Sequence, residues 1–66
     1  MMIFEVKDMT CGHCVKAITQ AVAELDAQAT VHCDLASHRV SVDTEKSPEA
    51  VAEAIAEAGY SPARLD

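Results

Sequence analysis

The chain has 66 residues, with five Lys and Arg against eleven Asp and Glu, a formal net charge of −6 when the histidines are neutral. That length allows one small core, and the acidic balance argues against nucleic acid or an anionic membrane as partner, since both reward clustered Lys and Arg. No run approaches the roughly 18 apolar residues of a membrane span, and the N-terminus has neither the basic region nor the apolar stretch of an export signal, so a soluble, cytoplasmic single domain over residues 1–66 without membrane insertion is expected.

Residues 2–7 alternate, with Met2, Phe4 and Val6 on one face and Ile3, Glu5 and Lys7 on the other, the pattern of a half-buried strand. From Gly12 the period changes: Val15, Ile18, Val22 and Leu25 recur at helical spacing to about Asp26, with Ala17 and Ala21 beside them. Ala29, Val31 and Cys33 then alternate against Thr30, His32 and Asp34, and Val40 and Val42 alternate again after a polar connection around Ala36-Ser37-His38, which reads as a hairpin. Ser47-Pro48-Glu49 opens a second helix: Ser is an N-cap, Pro suits the first turn, and an acidic side chain favours the positive end of the dipole. Val51, Ala54, Ile55 and Ala58 form its apolar stripe, and Gly59 stops it. A short strand is expected from Tyr60, confined to a sheet edge because Pro62 cannot donate to a ladder.

The order β-α-β-β-α-β predicts an α+β, ferredoxin-like sandwich, a four-stranded antiparallel sheet covered on one face by two helices. Following the chain up and down puts three connections at one end: the loop with Cys11, the turn near His38, and the Gly59-Tyr60 loop. The core is thin and aliphatic, since only one Phe and one Tyr are present.

Cys11 and Cys14 stand where the first strand gives way to the first helix. Residues i and i+3 at a helix start share a face, so their sulfurs can converge on one point. Unpaired backbone N–H groups and the positive dipole end lower thiol pKa values there and favour thiolates, the metal-binding form. The cysteine count is three, an odd number that argues against a secreted disulfide framework. Two soft thiolates on an exposed loop select soft ions, Cu(I) above all, whereas structural zinc wants four ligands. An incomplete site suits handing a metal on.

Met9-Thr10-Cys11-Gly12-His13-Cys14-Val15-Lys16-Ala17 resembles the metal-binding loop of heavy-metal-associated domains, most of all the small bacterial cytosolic copper chaperones. The resemblance continues through the hairpin to Ala58-Gly59-Tyr60. It implies that Cys11 and Cys14 bind Cu(I), that Met9 tucks under the loop as a core anchor, and that Tyr60 lies beside the site. It further implies a carrier rather than an enzyme, delivering copper to the N-terminal domain of a copper-transporting P-type ATPase by exchange of thiolate ligands. A copper-responsive repressor is a further partner left open. Two departures stand out, Asp8 where the family commonly has Gly, and Pro62 after Tyr60; neither is expected to touch a ligand. Thr10 precedes the first cysteine where zinc- and cadmium-handling relatives often have Asp, which favours copper; mercury carriers share a similar motif but are usually exported.

The other reactive side chains have plainer readings beside the functional ones. Cys33 shares the inward face with Val31 and reads as core filler, with accessory ligation as the alternative. Met9 is a core anchor before it is a thioether ligand. His13 reads as a solvated residue tuning the thiolates, with direct coordination as the alternative, and His38 sits on a mobile turn at the right end, able to ligate in a dimer or adduct. His32 points to solvent. Glu49, Glu53 and Glu57 line one helix face as a solvated stripe or a docking surface for a basic partner, and Lys16 can offset the charge of a copper bis-thiolate. The apo chain is expected to be a monomer, with a copper-bridged homodimer open to it. Two competing functions remain: a thiol-disulfide oxidoreductase using Cys11-Gly12-His13-Cys14, and a carrier or sensor module for another soft metal such as zinc, cadmium or mercury.

Overall fold

Alternating large apolar and polar side chains form β1 (Met2–Val6), whose burial alternates with the sequence and puts Met2, Phe4 and Val6 inside. The computed structural model describes residues 1–65. After β1 come α1 (Gly12–Leu25), β2 (Thr30–Asp34), β3 (Arg39–Asp43), α2 (Pro48–Glu57) and β4 (Pro62–Arg64). The strands form one antiparallel sheet in the order β2-β3-β1-β4, with Phe4 opposite Val40 on one side and Arg64 on the other. This is the expected ferredoxin-like arrangement.

The core is built where the two periodicities meet. Phe4, Val6, Val40 and Val42 from the sheet, Ile18 and Val22 from α1, and Val51 and Ile55 from α2 are all buried in one cluster. Burial of such side chains contributes roughly 1.5–3 kcal/mol each, and this cluster, with Met2 and Met9, is the main apolar store of a very small chain. On β2, an edge strand, Val31 and Cys33 are only half-buried because the helices cover the sheet's centre more fully than its margin. No buried polar side chain lacks a partner among the described residues.

The helix ends follow local chemistry. Ser47 caps α2, its hydroxyl accepting the Ala50 amide at 3.1 Å, with Pro48 in the first turn and Glu49 next to it. Gly59 adopts φ +100, a left-handed conformation that glycine takes without a Cβ penalty. The Tyr60 amide still bonds back to Ile55 O at 3.4 Å. Tyr60 thus belongs to the closing turn of α2, and the last strand begins two residues later than expected, at Pro62, on the sheet edge where proline is tolerated. Likewise β1 stops at Val6, and Lys7 turns away because Met9 N bonds to Val6 O at 3.0 Å.

Candidate metal centre

Cys11 is the N-cap of α1. Its backbone is extended and its carbonyl accepts the Cys14 and Val15 amides at 3.1 and 3.2 Å, while its side chain makes no capping bond. The thiol is thereby free to face its partner, and the two sulfurs stand 3.4 Å apart. No acidic residue occupies the first turn of α1, so the helix's positive end is left to act on the sulfurs. Cys11 is exposed and Cys14 half-buried.

The Cys14 thiol is lowered from 9.0 to about 7. The largest cause is a hydrogen bond from the Tyr60 hydroxyl; the Thr10 backbone and the Cys11 side chain add to it, and partial desolvation opposes them. The same bond acts reciprocally on Tyr60, which is pushed up to about 12 because its proton is held by the thiolate. Near neutrality, about half of Cys14 is therefore the nucleophilic, metal-binding form without a general base.

Thiolate–metal bonds of about 2.3 Å place a 3.4 Å sulfur pair around a bent geometry near 95°, whereas a linear ion needs the sulfurs roughly 4.6 Å apart. Opening by about 1 Å requires only rotation of the exposed Cys11 side chain. A disulfide, at 2.03–2.05 Å, would need closure of similar size in the other direction.

The expected neighbours are placed as follows. Met9 lies fully in the core, beneath a loop whose next four residues are exposed. Tyr60 reaches the pair through Cys14. His13 and Lys16 are exposed on the first turns of α1. Cys33 lies on β2, where its sulfur is 3.9 Å from Thr19 Oγ1 and burial raises its pKa. Among the described residues, no three Cys, His, Asp or Glu side chains gather into a metal-holding group, so neither Cys33 nor a histidine stands with the pair as a third donor.

His38 departs from expectation. Its turn is anchored, not loose: the residue takes φ 59, its carbonyl accepts the Val6 amide at 2.7 Å, and its ring Nδ1 lies 3.1 Å from Met9 O. His is one of the few non-glycine types enriched in that left-handed region. Asp8 also departs from expectation, because its carbonyl is 4.0 Å from Cys14 Sγ and its carboxylate accepts the Ser61 amide at 3.2 Å. The metal loop is thus tied to the β2–β3 turn by His38 and to the approach of β4 by Asp8. Both links span long stretches of sequence between connecting loops, where no periodicity marks them; the only sequence signal is a carboxylate in a position the resemblance gives to glycine.

The heavy-metal-associated domain model matches residues 3–61. The copper chaperone CopZ of Bacillus subtilis is 41% identical over 63 residues, covering 91% of each chain. Copper-transporting ATPase 2 of Rhizobium meliloti is 34% identical over 61 residues, which is 89% of this chain but 7% of the ATPase. Among solved structures, the copper chaperone Atx1 from Synechocystis PCC6803 superposes with a TM-score of 0.94 at 38% identity, covering 96% of this chain and all of the other.

Proposed function

Since this chain belongs to the heavy-metal-associated domain family, we propose that it is a copper chaperone: it binds Cu(I) through Cys11 and Cys14 and hands the ion to an acceptor without catalysing a reaction. The observation that carries this reading is the exposed sulfur pair, 3.4 Å apart at a helix N-terminus, with Cys14 held near neutrality. Two soft thiolates match a soft monovalent ion. Thr10, in place of a carboxylate, offers no anionic oxygen ligand, and Lys16 sits close enough in sequence to offset the net negative charge of a bis-thiolate complex.

Transfer follows from incompleteness. With two protein ligands, the bound ion accepts a third thiolate from an incoming partner; one original metal–sulfur bond then breaks, and repetition moves the ion across. Each step exchanges one thiolate for another, and no electron changes hands. The acceptor proposed is the N-terminal domain of a copper-transporting P-type ATPase, supported by the similarity of this chain to a segment of such an enzyme. Glu24, Glu53 and Glu57 rim a groove of about 700 Å³ floored by alanines of α1 and α2, an acidic surface suited to a basic acceptor. A cytoplasmic setting would keep both thiols reduced.

Anaerobic Cu(I) titration against a competing chelator tests the proposal. The protein should take up one equivalent, and Cys11→Ser and Cys14→Ser should each weaken binding by orders of magnitude. Copper held no more tightly by the parent than by the double variant would reject it.

A further inference from the structure

The Met9–Thr10 peptide has two ends that matter to the site. Its carbonyl faces His38, with ring Nδ1 at 3.1 Å. A carbonyl can only accept, so Nδ1 carries the proton and donates. Its amide belongs to Thr10, the backbone group that interacts with the Cys14 sulfur. Because the peptide unit is planar, fixing the carbonyl fixes the direction of the N–H on the other side. His38 is itself held by two constraints, its left-handed φ of 59 and the 2.7 Å bond from Val6 N–H to its carbonyl.

We propose that His38 is a positioning residue for the metal loop: it donates to Met9 O and so holds the Met9–Thr10 peptide with the Thr10 N–H turned toward Cys14. His38 acts through that peptide and is not itself a ligand, in keeping with its absence from any three-donor group among the described residues. Hydrogen bonds polarise one another along such a chain, so the imidazole donor makes the Thr10 amide a better donor to sulfur. This role rests on the copper-binding reading for its consequence, but the peptide's orientation is a property of the apo protein.

The two functions of His38, its φ and its donor, separate in a pair of variants. His38→Gly keeps the left-handed backbone and removes the ring. His38→Asn tolerates the same backbone and places an amide donor the same number of bonds from Cα as Nδ1. Two readouts apply: NMR hydrogen exchange of the Thr10 amide in the apo protein, and Cu(I) affinity by chelator competition. His38→Gly should speed Thr10 exchange and weaken copper binding about three- to tenfold, the range a single lost hydrogen bond produces; His38→Asn should restore both to within about twofold. Unchanged Thr10 exchange in His38→Gly, or His38→Asn no better than His38→Gly, overturns the assignment. Failure of the parent to bind copper would reject the chaperone reading, and the Thr10 exchange in the two variants would still decide the role of His38.

Discussion

Replacing Tyr60 with Phe removes one hydroxyl and leaves the ring that packs against the core. The hydroxyl is the largest cause of a Cys14 thiol lowered from 9.0 to about 7. If it carried the whole shift, the thiolate fraction at pH 7 would fall from about a half to about one in a hundred. The Thr10 and Cys11 contributions remain, so a loss of about one pKa unit, a factor of roughly ten, is the expected size. The assay is thiolate absorbance against pH for the apo protein, with Cu(I) affinity measured at pH 7 and at pH 9.5. Tyr60 itself, pushed up to about 12, keeps its proton throughout that interval, so the comparison is not confused by its own ionisation. The variant should bind more weakly at pH 7, where protons compete, and should match the parent at pH 9.5, where both are ionised. An equal deficit at both values would refute the reasoning, because a proton-competition effect must vanish above the thiol's pKa. The same shift has a stability consequence: a depressed folded pKa contributes stability that is present above the unfolded value near 9.0 and is lost as pH falls through about 7.

Met9→Leu conserves volume and should cost less than about 1.5 kcal/mol while leaving copper affinity within twofold, whereas Met9→Ala, at a fully buried site, should cost about 2–5 kcal/mol in chemical denaturation; a large affinity loss in Met9→Leu would instead assign the thioether to the metal. Asp26 accepts a hydrogen bond from the Thr44 hydroxyl, which lowers its pKa below the usual carboxylate value. Its contribution to stability is present above pH 3.8 and disappears as pH falls through the lowered folded value, so Thr44→Val should flatten the acid limb of the denaturation profile and leave neutral-pH copper binding untouched. Reversing Glu49, Glu53 and Glu57 to Lys should slow copper transfer to a basic acceptor domain without changing affinity, with a steeper effect at low salt; an unchanged rate would leave these side chains as solvation alone.

Most of the architecture was legible because it is periodic. The alternation of Met2, Phe4 and Val6 and the helical spacing of Val15, Ile18 and Val22 each name a face, and a face needs only a partner of the same kind. The cysteine pair was equally legible, since both residues lie within one helical turn and their geometry is local. The rest depends on contacts between loops. His38 meets Met9 29 residues away, and Asp8 meets Ser61 53 residues away; neither pairing follows from any repeat in the chain. The expected loose turn at His38 and the expected start of β4 at Tyr60 fail because backbone groups in a tight connection must find partners. The His38 carbonyl finds the Val6 amide across the end of the sheet, and the Tyr60 amide finds Ile55 O in the closing turn of α2.

The boundary between Met9 and Thr10 separates two kinds of constraint within a single peptide bond. The Met9 side chain answers to the packing of the interior; the side chains of Thr10, Cys11 and His13 are exposed and face whatever approaches from outside. Substitutions at Thr10 and His13 therefore explore ion preference with little penalty in folding, and substitutions in the core change the scaffold without rewriting that preference. A lineage built on this plan can retune its cargo through a handful of rim residues while the interior drifts on its own schedule, and a laboratory can use the same division to graft new donors onto a frame that does not register the change.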